Sequence, residues 1–94
     1  MPTHDETERF WQDWSRLTPV QRAQLSDAVR QMVDDLKSKR PFRAGLRVKR
    51  FQRLAGVYEM TWAPNGRALF HLRRFAASGE THITWLRVGT HDIF

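Results

Sequence analysis

A chain of 94 residues, 40% hydrophobic and 28% charged, has the make-up of one soluble domain, 1–94, with room for a single core. It has no cysteine, which excludes disulfides, a thiolate nucleophile and Cys-based zinc sites; with no apolar run of membrane-spanning length and no apolar signal core in MPTHDETERF, a cytoplasmic location is expected. The net charge of +6 is uneven: residues 1–36 carry four arginines against seven acids, and residues 37–94 carry twelve Lys or Arg against three acids.

Residues 2–9 (PTHDETER) show no hydrophobic alternation, and no strand is expected there. Phe10, Trp14 and Leu17, with Trp11 beside them, have the i, i+4, i+7 spacing of one helix face over about 6–17. Thr18-Pro19-Val20-Gln21 then starts a second helix, with Thr as N-cap, Pro at the first helical position and Gln closing a capping box. Its stripe is Leu25, Val29, Met32, Val33 and Leu36, and Pro41 and Gly45 end it. So tight a connection predicts an antiparallel helix hairpin.

Residues 37–53 (KSKRPFRAGLRVKRFQR) hold eight cations and no acid, which points either to a polyanionic partner such as nucleic acid or to a solvated basic loop. Arg43, Arg47, Lys49 and Arg50 are its candidate nucleic-acid contacts, and Arg73 and Arg87 are further ones. After Gly45 the hydrophobic period changes from 3.6 to 2. LRVKRF (46–51), AGVYEMTWA (55–63), RALFHLRR (67–74) and HITWLRV (82–88) read as strands, and 75–81 as a loop. The expected fold is α+β: an N-terminal antiparallel helix hairpin packed on one face of a three- to four-stranded antiparallel sheet.

For the hairpin around Pro64-Asn65-Gly66, a three-residue loop with Gly66 in a left-handed position pairs Ala63 with Arg67. Trp62–Ala68, Met60–Phe70 and Tyr58–Leu72 then share an apolar face. Thr61–Leu69, Glu59–His71 and Val57–Arg73 share the other, which would thus present Glu59, Arg67, His71 and Arg73. For the fourth strand either face, Ile83-Trp85-Arg87 or His82-Thr84-Leu86-Val88, can meet the helices. Gly89 is expected to break that strand and leave His91 and Asp92 just past the sheet edge.

The four tryptophans read as core, Trp11 being the best candidate for an exposed ring. The four histidines lack zinc-ligand spacing, so neither a metal nor a cofactor is expected. No Ser-His-Asp order, glycine-rich phosphate loop or GxSxG elbow is present.

GLRVK (45–49), GVYEMTWAPNGRALF (56–70) and LRVGTHDIF (86–94), in this order behind a helix hairpin, resemble the RelE/ParE superfamily of type II toxins, most closely RelE-like chains with a C-terminal GTHDI-type motif. The resemblance implies a toxin that cleaves mRNA on the ribosome without metal, through attack of the 2′-OH on the adjacent phosphate. It implies as partners mRNA, the ribosome and an acidic antitoxin that is partly disordered when free. By position, Arg67 matches an arginine that contacts the scissile phosphate, and Arg47 and Lys49 match basic residues entering the sheet. His91 matches a C-terminal general acid, leaving Glu59 or His71 as the general base. Tyr58 is the only tyrosine and faces the expected core, which argues against a tyrosine-dependent mechanism. Two other classes stay open: a ParE-type gyrase poison that cuts no RNA, and a simple nucleic-acid-binding module.

Overall fold

A computed structural model describes residues 2–75 and 77–93; Ala76 of the expected loop, the Asp92 side chain and Phe94 of the LRVGTHDIF stretch lie outside them. The elements run β1 (Thr3–Glu6), α1 (Glu8–Ser15), α2 (Pro19–Lys37), β2 (Lys49–Arg50), β3 (Val57–Ala63), β4 (Gly66–Arg74) and β5 (Thr81–Thr90), with 3₁₀ turns at Ala44–Leu46 and His91–Ile93. The five strands form one sheet in the order β1-β5-β4-β3-β2. β1 pairs parallel with β5, and the other pairs are antiparallel. The architecture is α+β as expected, but the sheet has five strands and is mixed.

The additional strand is β1, where no strand was expected. THDE carries no apolar residue, so it leaves no period-2 hydrophobic trace. Its place is set by the backbone ladder from Thr3↔His82 to Glu6↔Trp85 and by Thr7, whose N–H donates to Trp85 O at 3.0 Å. Thr7 also caps α1 by accepting from the Phe10 N–H at 3.0 Å, while its hydroxyl donates to Leu86 O at 2.9 Å. The second helix starts as its sequence dictates: Thr18 Oγ1 accepts from Gln21 N, Gln21 Oε1 accepts from Thr18 N, and Pro19 is the first helical residue. α2 ends at Lys37, before Pro41, with Lys39 in the left-handed region (φ 55°). The short 16–18 connection places α1 against β5 and α2 against β3, so each helix covers its own part of one sheet face.

Between helices and sheet lie Phe10, Leu17, Leu25, Met32, Met60, Phe70, Ile83, Trp85 and Val88, all buried. Full burial of side chains of this size is worth roughly 1.5–3 kcal/mol each. Trp62 and Trp85 belong to this core, Trp14 packs on it half-buried, and Trp11 is half exposed. Tyr58 stacks on Phe70 on the same side (ring centroids 5.8 Å apart).

The hairpin register differs from expectation by two residues. Val57 pairs with His71, Tyr58 with Phe70, Glu59 with Leu69, Met60 with Ala68 and Thr61 with Arg67. A slip of two leaves every side chain on its expected face, because the side-chain period is two; only the partners change. The turn holds just Pro64 and Asn65 between the Ala63↔Gly66 pair, and a bulge at Trp62 absorbs the difference. Gly66 is not left-handed. It is glycine for another reason: a Cβ there would lie 2.5 Å from the Trp62 indole, which crosses directly over it.

β5 resolves its two-face ambiguity by using both. A bulge at Leu86, between Phe70↔Trp85 and Leu69↔Arg87, turns the strand over, so Ile83, Trp85 and Val88 all face the core. Gly89 does not break this strand, which continues to Thr90.

Candidate functional site

The sheet face away from the helices carries, along β4, Arg67, Leu69, His71 and Arg73. Beside them stand Val57, Glu59 and Thr61 on β3 and His82 and Thr84 on β5. One end of this face is the hairpin tip. There the Trp62 indole fastens the backbone, its Nε1 donating to Arg67 O at 2.9 Å. The Arg67 guanidinium curls over the turn and donates through Nη1 to Gly66 O (2.9 Å), Pro64 O (3.4 Å) and Ala63 O (3.5 Å). Among the described residues no carboxylate pairs with it. These neutral carbonyls do not offset the guanidinium charge, which can still attract an anion.

Arg47 joins Arg67 in one groove of about 480 Å3, between the hairpin tip and the polar side of α2 that carries Gln24 and Asp27. Arg47 itself is left-handed (φ 48°), ending the 44–46 turn that the buried Leu46 anchors. The Asp27 carboxylate at the rim is already engaged by Arg30 and by Gln31 Nε2 at 3.3 Å.

His91 comes to the same end. The pairs Arg67↔Gly89 and Gly66↔Thr90 place it one residue beyond the hairpin tip's partner strand. The 91–93 turn then folds back, and a Cβ on Gly89 would meet Ile93 Cγ2 at 2.5 Å. The glycine of GTHDI is therefore where the C-terminal turn lies against its own strand.

The other two proposed catalytic residues stand further along the sheet and not opposite each other, so the expected Glu59–His71 pair does not form. Glu59 faces Lys49 across the β2–β3 ladder, with Lys49 Nζ 3.4 Å from its Oε1. His71 lies opposite Val57 and Thr84, its ring against Gly56: a Cβ at that left-handed glycine (φ 76°) would be 2.8 Å from His71 Nε2. Four residues of strand put its Cα about 13 Å from that of Arg67.

The candidate RNA-binding arginines divide. Arg47, Arg50 and Arg73 are exposed, as is Lys49. Arg43 instead clasps Asp35, which is only 2% exposed: its backbone N–H (3.0 Å), Nε (3.0 Å) and Nη2 (2.9 Å) all donate to that carboxylate, and Arg40 adds a further contact at 3.2 Å. The Arg43 hydrogen bonds hold the Asp35 carboxyl down at about 2 and push the guanidinium up. The first part of the basic segment is thereby folded onto the end of α2. Arg87 likewise donates from Nε (2.6 Å) and Nη2 (3.1 Å) to buried Asp13, which also accepts from the Val88 N–H at 3.2 Å on the β5 edge beyond β1.

Sequence reasoning passed over Asp13, Asp35 and a cluster at the opposite end of the outer face. In that cluster His82 is bonded at both ring nitrogens, Nδ1 to Thr3 Oγ1 (2.7 Å) and Nε2 to Asp5 Oδ1 (2.8 Å), and Thr84 Oγ1 donates to the same Asp5 oxygen (2.7 Å). These hydrogen bonds, Thr84 first, lower the Asp5 carboxyl below its usual range. The available signals were an acid on the 10–13–17 helix stripe and the alternation Thr3-x-Asp5 against His82-x-Thr84.

Solved structures show the same arrangement of elements. A chain of the E. coli DinJ-YafQ toxin-antitoxin complex superposes with a TM-score of 0.67 over 99% of this chain and 96% of its own, at 12% identity. The YoeB/ParE toxin from Agrobacterium tumefaciens gives 0.64 over 95% and 98%, at 14% identity. The chain has the fold of the RelE/ParE toxins. No protein-family model matches the sequence, and no curated protein matches it significantly. In both solved structures the likeness spans nearly the whole of each chain.

Proposed function

We propose that the chain is the toxin of a type II toxin–antitoxin pair and a metal-independent endoribonuclease that cleaves mRNA on the ribosome. The observation that carries this reading is the Arg67 guanidinium, held over the hairpin tip by three carbonyls, in one groove with Arg47. The substrate's own 2′-OH is the nucleophile, so the protein has to bind the scissile phosphate, remove one proton and supply another. Arg67 neutralises the charge that grows on the phosphate oxygens; fixed donors of this kind contribute about 10²–10³ in rate. His91, at the same end of the sheet, protonates the leaving oxygen, the proton transfer for which histidine is the side chain most often used. Glu59 lies nearer than His71 to the hairpin tip and takes the 2′-OH proton, with Lys49 Nζ beside its carboxylate at 3.4 Å. Arg47, Lys49, Arg50 and Arg73 bind flanking phosphates, while Arg43 and Arg87 act through the carboxylates they hold. The neighbouring E. coli structure is a toxin–antitoxin complex. By the same logic the partner of this chain is an acidic antitoxin covering the cationic groove.

Primer extension on mRNA after brief induction in bacteria, wild type against Arg67→Ala, tests the reading. Cuts at fixed positions within translated codons, absent in the variant, are expected. Growth arrest with intact mRNA would favour a gyrase poison instead, a reading supported by the spread of His91, Glu59 and His71 along the sheet. Intact mRNA with normal growth would overturn both.

A further inference from the structure

The cluster around His82 has no part in the chemistry above, and the sheet is built to hold it. His82 is locked between Thr3 and Asp5, and only 15% of its side chain is exposed. Its ring backs that of Phe75, with centroids 5.9 Å apart and planes at 47°. Phe75 follows directly on β4. Its backbone is fixed at the mouth of the 75–80 loop, where its N–H donates to Glu80 O (2.8 Å) and its carbonyl accepts from Gly79 N (2.7 Å). Yet the side chain is 44% exposed, one of only four large hydrophobic residues so placed among the described ones. Arg73, exposed, stands directly across the strand pair from His82. An immobilised aromatic face beside a cation is what a nucleobase and its phosphate need, since stacking is tolerant of sequence and the cation takes the backbone.

The position along β4 gives the platform a purpose. Arg67, Leu69, His71, Arg73 and Phe75 follow one another at alternate residues, so Phe75 lies about 27 Å from Arg67 along the strand. That is roughly eight nucleotides of stacked strand at 3.4 Å each, and fewer of a stretched one.

We propose that Phe75, backed by His82 and flanked by Arg73, is a nucleobase-stacking subsite that holds single-stranded RNA at the end of the sheet opposite Arg67. This rests on the ribonuclease reading for its substrate class. The β4 row acts as a track, with a phosphate anchored at Arg67 and a base at Phe75. Thr3 and Asp5 on β1 are positioning residues, since they touch His82 and not the RNA.

The test is binding of 2′-O-methyl RNA oligonucleotides, which cannot be cleaved through the 2′-OH, three and ten nucleotides long, measured by fluorescence anisotropy. Phe75→Ala is expected to lose about tenfold in affinity for the ten-mer and almost nothing for the three-mer, and Phe75→Trp to restore it. The salt slope should be unchanged in Phe75→Ala, and shallower by about 0.7 in Arg73→Ala. His82→Ala should weaken ten-mer binding in the same direction, with Phe75→Ala, whose side chain lies outside the core, serving as the variant that keeps the fold. Equal losses for both lengths, no loss in Phe75→Ala, or a wild type that binds neither oligonucleotide would overturn the subsite. Length-dependent binding without any mRNA cleavage in cells would support the subsite while removing the nuclease reading, so the two fail separately.

Discussion

Asp13 and Arg87, 74 positions apart in sequence, meet through two hydrogen bonds at the edge of the sheet, with the Val88 N–H as a third donor to the same carboxylate. The acid is 4% exposed and the arginine side chain 25%. Asp13→Ala removes the carboxylate that accepts from the largely covered Arg87 guanidinium and from a strand-edge N–H. Removing one partner of a buried ion pair costs about 3 kcal/mol or somewhat more. Urea unfolding at neutral pH should show that loss, and a change below about 0.5 kcal/mol would assign the pair the small worth of a surface ion pair.

Gly66→Ala tests the hairpin tip. The added methyl would sit 2.5 Å from the Trp62 ring, so either the indole or the backbone has to move. Overpacking of this kind costs about 1–3 kcal/mol. Displacing the indole also breaks its bond to Arg67 O, so a shift in tryptophan fluorescence should accompany the drop in stability. Wild-type stability in the variant would contradict the close packing.

Acid should loosen the basic segment. The Asp35 carboxyl is lowered from 3.8 to about 2 by Arg43, so the folded state binds its proton more weakly than the unfolded chain does. Its contribution is therefore complete above about pH 4 and is lost as pH falls towards 2. Asp35→Asn should be less stable than wild type at neutral pH, with the gap closing between pH 4 and 2. A gap that is constant over this range would mean that the charge on Asp35 is not what stabilises the clasp.

The C-terminal turn offers a kinetic test. His91→Ala should lower the single-turnover cleavage rate by about 10²-fold or more, as loss of a general acid does, with little change in RNA affinity. Gly89→Ala should act in the same direction from a distance, because its methyl would strike Ile93 and lift the turn that carries His91. An unchanged rate in both variants would remove the turn from the mechanism.

What could be read from the sequence tracks the kind of force involved. The capping box at Thr18-Gln21 and the stripes on α1 and α2 are local, and they form as written. The faces of β3 and β4 were legible because alternation survives a two-residue slip, whereas the partners were not, because the bulge at Trp62 depends on an indole packing over Gly66. β1 was illegible: four polar residues are held by a ladder to a strand far along the chain and by His82, neither of which leaves a local pattern. Of the candidate site, Arg67 and His91 could be placed at one end from the turn and the C-terminal motif. That Arg43 and Arg87 would be engaged by Asp35 and Asp13 could not, since neither a charge run nor a lone strand arginine says which cations find acids in the fold.

The pairing of β1 with β5 also dictates when the molecule can exist. Thr3 and His82 are 79 positions apart, so the parallel ladder closes only after almost every described residue has been made. Contacts of such range form late and slowly. While the ribosome's tunnel still holds β5 and the segment with His91, the sheet lacks two neighbouring strands and the hairpin tip lacks its C-terminal turn. A nascent chain thus has no complete cationic end until β5 and the turn after it have left the tunnel.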